Sequence, residues 1–241
     1  MKDLRLALMT AIDIPIPECK LILHQPRIEE IAFLGDTEFY SGIQTICLYK
    51  SMFAQDNIDL SAINNFQIFM MVMSEKETAD KKKAVKEVLQ ILFPKYSFIF
   101  TPMSLIFQEG EEQIIIDGDN FEALQKAIRE VCCLNNGPMD QTAFNPANEA
   151  AREIARKLMR GRERVAAQKN NSGSSIFVQY LSILSIATGL SINELKEYTI
   201  FQFYDTIERY SLWLNWDLDI RTRLAGGKPD SHPDNWMKNI H

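Results

Sequence analysis

Catalysis needs groups that can converge, and in this 241-residue chain the usual candidates are few and scattered. His24, His232 and His241 are the three histidines, two of them at the far end of the sequence. Cys19, Cys47, Cys132 and Cys133 form neither a CxxC pair nor a Cys/His cluster with zinc spacing. The adjacent Cys132 and Cys133 lie in the apolar run IREVCCL, where small buried thiols and a reducing compartment are the expectation. HExxH, GxSxG, Walker A and GxGxxG are all absent, so the common signatures of zinc hydrolysis, acyl transfer, phosphate cradling and dinucleotide binding are missing. At 116–120, IDGDN sets Asp117, Asp119 and Asn120 around Gly118 as oxygen donors, but the twelve-residue calcium pattern with its terminal Glu is lacking. A capped strand-to-helix turn is the simpler reading. Asp205 and Glu208 share a helix face at i and i+3, with Arg209 four residues from Asp205, which favours a surface ion pair over a carboxylate dyad. No catalytic residue, metal or cofactor is expected, and the chain reads as non-enzymatic.

Binding chemistry is better represented. The stretch 152–169 carries Arg152, Arg156, Lys157, Arg160, Arg162, Arg164 and Lys169 against Glu153 and Glu163. Its apolar stripe, Ile154, Leu158 and Val165, makes a protein-binding or solvated face the preferred reading over nucleic acid. Phe201, Phe203, Tyr204, Tyr210, Trp213 and Trp216 crowd one helical stretch, with Trp236 beyond it. Core accounts for most of these, yet Trp, Tyr and Arg also anchor interfaces. Met70, Met71 and Met73 are read first as core and second as a groove for a partner. The interface candidates are therefore Met70, Met73, Arg156, Arg160, Tyr210, Trp213, Trp216 and Trp236.

Periodicity indicates which elements must hold these residues. The first segment reads as short strands, with KLILHQ (20–25) stopping at Pro26. Helices follow in PRIEEIAFLG, in a segment capped by Asp36 and slightly weakened by Gly42, in NNFQIFMMVMSE (64–75) and in DKKKAVKEVLQILF (80–93). The Lys81–Lys83 run is a solvated face. YSFIFT (96–101), SLIFQ (104–108) and QIIID (113–117) change the period to that of strands, with EGEE (109–112) as a hairpin turn. With KLILHQ they suggest one small mixed or antiparallel sheet. Asp119 or Asn120 then caps an amphipathic helix to Leu134. NNGPMDQTAF begins the clearest boundary in the chain. Beyond it, IFVQYLSILSIATG (176–189) reads as a helix buried on most sides, and a short helix capped by Ser191 leads to one long helix ending at Gly226 or Gly227. The expected class is α+β, with an α+β domain over 1–135, a linker at 135–143 and a helical domain over 144–241.

Composition bounds the function further. With Lys+Arg 26 against Asp+Glu 32, the net charge of −6 gives no global attraction to nucleic acid or anionic membrane, so any such binding has to be local. No secretory signal and no run long enough to span a membrane is present, which leads to the expectation of a soluble, cytoplasmic protein.

FNPANEAAREIARKLMRGRERVA (144–166), TIFQFYDTIERY (199–210) and RTRLAGGKPDSHPDNWMKNI (221–240) resemble bacteriophage tail assembly chaperones and related proteins encoded near the tail genes. The resemblance covers the last hundred residues or so. It implies binding to the tape-measure protein and to tail-tube subunits during morphogenesis, in the host cell cytoplasm, with no catalytic residues to carry over. A structural virion component of the baseplate or tail completion region is the alternative, and a nucleic-acid-binding regulator using the 152–169 arginines is a further one. No membrane partner is expected, and self-association is compatible with the sequence.

Overall fold

The computed structural model describes residues 3–49, 63–74, 79–101, 103–134, 175–227 and 236–237. The first element departs from the strand expected there. Residues Leu4–Met9 form a short helix, α1, whose start is capped by the Asp3 carboxylate accepting the Leu6 N–H at 3.0 Å. A helix this short is marginal alone. Its far end is held from outside, because Gln25 Nε2 donates to the Ala7 and Ile12 carbonyls and Gln202 Nε2 donates to the Met9 carbonyl.

Strands β1 (Ile14–Ile16) and β2 (Leu21–Leu23) form an antiparallel hairpin, with Ile14 opposite Leu23 and Ile16 opposite Leu21. All four of these side chains are buried. KLILHQ therefore does not join the later strands. Its partner is the segment immediately before it, which costs the least loop-closure entropy.

Helices α2 (Ile28–Leu34), α3 (Asp36–Ile46), α4 (Asn65–Ser74) and α5 (Ala79–Leu92) follow at the expected places. Asn64 and Gln67 cap α4 reciprocally, each side-chain oxygen accepting the other's backbone N–H. α3 packs on α5 more extensively than any other pair of helices. Gly42 makes that approach possible, since a Cβ there would sit 2.5 Å from Val88 Cγ2 and 2.7 Å from the Ala84 carbonyl oxygen.

Strands β3 (Ser97–Phe100), β4 (Leu105–Glu109) and β5 (Glu112–Ile116) form a separate antiparallel sheet in the order β3-β4-β5. Register sets Phe98, Phe107 and Ile114 in one row and Phe100, Leu105 and Ile116 in another, both on the core side. Phe93 and Phe98 meet the Phe107 ring edge-on, each with centroids 5.0 Å away. The alternate row, Ile99, Ile106 and Ile115, faces outward.

Helix α6 (Phe121–Val131) completes this part of the core. Asn120 stands at its N-cap position but does not cap it. Its side chain instead accepts the Asp117 N–H and donates to the Ile115 carbonyl, closing the turn onto β5. Along α6, Gln125 and Arg129 reach across to the end of α3. Gln125 Nε2 donates to the Ile46 and Leu48 carbonyls at 2.8 Å each, and Arg129 Nη2 donates to the Cys47 carbonyl at 2.9 Å. These bonds satisfy carbonyls that a helix leaves unpaired at its C-terminus.

Beyond the expected linker lie α7 (Ile176–Thr188), α8 (Ile192–Leu195) and α9 (Ile200–Leu224). The class is α+β, with two small antiparallel sheets among helices and a helical C-terminal region. The linker at 135–143 and the basic stretch 152–169, with Arg156 and Arg160, lie outside the described residues. Among the described residues, no helix is long and apolar enough to cross a membrane.

Candidate protein-interaction site

The C-terminal helices are positioned by polar stops at each end. Ser175 caps α7 through the Phe177 N–H, and Gly189 ends it in the left-handed region at φ 74°. Ser191 and Glu194 form a capping box on α8, and Thr199 and Gln202 form another on α9. The start of α9 is stitched to the N-terminal part: Ile28 N–H donates to the Tyr198 carbonyl and Ile200 N–H to the Pro26 carbonyl, both at 2.9 Å.

The QFYD stretch inside the quoted motif is thereby accounted for residue by residue. Gln202 accepts the Thr199 N–H and, through its amide, tethers the end of α1. Phe203 is fully buried and meets Phe177 with ring centroids 5.5 Å apart. Tyr204 shares a hydroxyl hydrogen bond with Tyr40 of α3. Burial raises both phenols above their ordinary range, and for Tyr40 the adjacent Tyr204 adds to it. Asp205 is buried rather than at the surface expected for it. Phe177, Leu184, Leu195, Ile200 and Phe203 belong to the same cluster of buried side chains as Ile31, Phe39 and Val131.

Past this anchorage the helices stop being covered. The thirteen residues of α7 include no charged side chain, only Gln179, Ser182, Ser185 and Thr188 among the apolar ones, and so apolar a helix is expected to be largely enclosed. Among its residues with described burial, only Phe177 and Leu184 are buried, whereas Val178 is 62% and Ile186 84% exposed and Ile183 is exposed beside them. This corrects the expectation of a helix buried on most sides. The side that packs is narrow, and the exposed side mixes Val178, Ile183 and Ile186 with the uncharged Gln179, Ser182 and Thr188.

α9 does the same along its length. Ile200, Phe203, Ile207, Leu214 and Leu218 follow one helical stripe. The first two are buried and Ile207 packs partly on the core, while Leu214 and Leu218 are exposed. Tyr210 is half-buried and stacks on Trp213 with centroids 5.9 Å apart. Trp213 is 39% exposed, and Trp216 is half-buried three residues further on. Arg209 Nη1 donates to the carbonyl of the half-buried Trp236 at 2.7 Å. The last turns carry Asp217–Arg221 and Asp219–Arg223 ion pairs at i, i+4, each adding ~0.3–0.5 kcal/mol to the helix.

Of the sequence candidates, Tyr210, Trp213, Trp216 and Trp236 thus lie on or beside α9. Met70 and Met73 are core residues, so no methionine groove is presented there; of the three methionines only Met71 is exposed. Their i, i+3 spacing turns both inward with Phe66 and Phe69. Sequence reasoning missed Val178, Ile183 and Ile186. The signal was present as an uncharged helix, but composition does not say which side is covered.

One titratable cluster lies apart from these helices. His24 Nδ1 is 3.1 Å from an Asp13 carboxylate oxygen, and its Nε2 is 3.2 Å from Glu30. The bond to Glu30 holds His24 above its usual range despite partial burial, with Asp13 adding to it. Burial works to raise Glu30, but the bonds from His24 and the Arg27 N–H outweigh it and hold the carboxyl below its usual range. The cluster joins β2 to the start of α2. Among the described residues, no group of three or more His, Cys, Asp and Glu is placed to hold a metal ion.

Residues 168–241 match the family model described as the YomV second domain, a phage-associated family. No curated protein and no solved structure matches the chain. The matched stretch contains α7, α8 and α9, and with them both the anchoring motif and the exposed apolar faces.

Proposed function

We propose that this chain is a non-enzymatic phage tail assembly factor that binds tape-measure or tail-tube proteins in the host cytoplasm through α7 and the distal half of α9. The observation that carries this reading is the uncharged, exposed side of α7, with Val178 and Ile186 largely in water, together with the half-covered Trp213 on α9. Exposed apolar helix faces of this kind suit an amphipathic helical client, which supplies the missing cover. The similarity of residues 168–241 to a phage-associated domain supports the same direction. A client that must later be released calls for moderate affinity, which scattered apolar contacts without buried ion pairs provide.

Co-expression with the tail proteins encoded beside it, followed by pull-down, tests the proposal. The wild type should retain at least one of them, and Ile186→Asp or Trp213→Ala should reduce recovery at least tenfold while leaving the helical circular-dichroism signal intact. If the wild type retains none, the reading fails. Purified mature particles give a second check: an assembly factor is absent from them, and a stoichiometric copy number makes the protein a virion component instead.

A further inference from the structure

The three-stranded sheet has two edges, and they differ. On β5 the outward Ile115 carbonyl is taken by Asn120 Nδ2 at 2.9 Å. On β3 the alternation of the ladder decides which groups face out. Thr101 N–H donates to the Ser104 carbonyl, so Ile99 bonds inward to Ile106 and the main-chain groups of Phe98 and Phe100 point away from β4. Among the described residues nothing bonds those outward groups. Tyr96 N–H is already used by the Phe93 carbonyl, so the open edge is confined to Phe98 and Phe100. Natural sheets protect such edges with charges, proline or bulges, and Ser97–Phe100 contains none of them.

We infer that a second copy of this chain pairs with the first along β3, antiparallel about a two-fold axis through Ile99, to give one continuous sheet. The open edge is complementary to itself in this register and in no neighbouring one. Phe98 of each copy stands opposite Phe100 of the other in a hydrogen-bonded pair, which uses every outward N–H and C=O of the edge. Moving the axis to Phe98 would require the Tyr96 N–H, which is occupied; moving it to Phe100 would bring in Pro102, which has no N–H. No charged residue meets a like charge across Ser97–Thr101. On the outer face Ile99 meets its own copy, with Cα atoms about 4.5 Å apart as in a non-hydrogen-bonded pair. The row Ile115–Ile106–Ile99, in which Ile99 is 43% and Ile115 53% exposed, then runs unbroken across both copies.

Sedimentation equilibrium of the full chain tests this. The wild type should reach twice the chain mass at micromolar concentration. Ile99→Lys and Ile99→Glu each place like charges face to face on the axis, and each should weaken self-association at least tenfold; mixing the two variants should restore the dimer. Ile99 points to solvent, so the circular-dichroism spectrum should not change. Ile99→Cys should give a disulfide-linked dimer on mild oxidation, because the pair at the axis is the close one. A wild type that stays monomeric at every concentration overturns the inference, as does a dimer unaffected by Ile99→Lys. Trp213→Ala should leave the mass unchanged, which separates this interface from the client-binding one.

Discussion

Gly42 is where helix propensity and packing give opposite signs, and Gly42→Ala measures which is larger. In a helix interior alanine is favoured over glycine by about 0.8–1 kcal/mol, so propensity alone predicts a more stable protein. The Cβ, however, would lie 2.5 Å from Val88 Cγ2, 2.7 Å from the Ala84 carbonyl oxygen and 3.0 Å from its carbon. Val88 is fully buried and cannot swing into solvent, and the Ala84 carbonyl is backbone of α5. Overpacking of this kind costs about 1–3 kcal/mol, and contact with backbone argues for the upper part of that range. The net expectation is a loss of about 1–2 kcal/mol, read as a fall of about 0.5–1 M in the urea midpoint. Adding Val88→Ala removes one of the two obstacles. The double variant should therefore lose less than the two single losses together, with a coupling of at least about 0.5 kcal/mol. A midpoint for Gly42→Ala at or above wild type would refute the reasoning, because it would mean that α3 and α5 separate at no cost.

The His24 cluster predicts a bell-shaped dependence of stability on pH. Its bond to Glu30 holds His24 above 6.5, so its contribution is full below that pH and is lost as pH rises through the folded value; Glu30, held below 4.5, contributes above that pH and loses its share as pH falls through its folded value. The groups are partly exposed, which limits the effect to ~1 kcal/mol, and His24→Gln should flatten the alkaline arm in urea titrations; an unchanged arm counts against the cluster. Burial pushes Cys19 up to about 11 and Cys47 and Cys133 up to about 12, with Cys132 also well above its usual value. Ellman's reagent at pH 8 should accordingly label the native protein at least tenfold more slowly than the urea-unfolded chain, and equal rates would contradict the burial of the thiols. Gln125→Met preserves bulk but strands the Ile46 and Leu48 carbonyls, and should cost about 1–3 kcal/mol by urea unfolding. A loss under ~0.5 kcal/mol would show that those carbonyls find other partners.

Where local chemistry governs, the sequence was readable. The Ser191 cap of α8, the EGEE turn and the amphipathic face of α6 follow from spacing and cap residues that act within a few positions. α1 was not readable, since six residues do not sustain a helix and the groups that hold its end, Gln25 and Gln202, come from distant segments. The start of α6 was read correctly as falling at Asp119 or Asn120, but Asn120 does not cap it, because the Asp117 N–H takes the side-chain oxygen that a cap would use. The candidate site was half legible. Trp213 and Trp216 stood out by type, whereas Met70 and Met73 went to the core and Ile186 to the surface. Side-chain type sets an affinity for apolar surroundings; the tertiary arrangement decides which apolar surroundings are within reach.

The tether from Gln202 to the Met9 carbonyl spans 193 residues, and it has a consequence during synthesis. At roughly 5–20 residues per second, about 10–40 s pass between the emergence of one partner and the other. For that interval α1 lacks its C-terminal clasp and the edge of the core near Phe39 lacks Phe177 and Phe203. A nascent chain paused before residue 200 would therefore present an unfinished aromatic surface to solvent. Ribosome-associated chaperones should engage it in that window and release it once α9 is threaded into place.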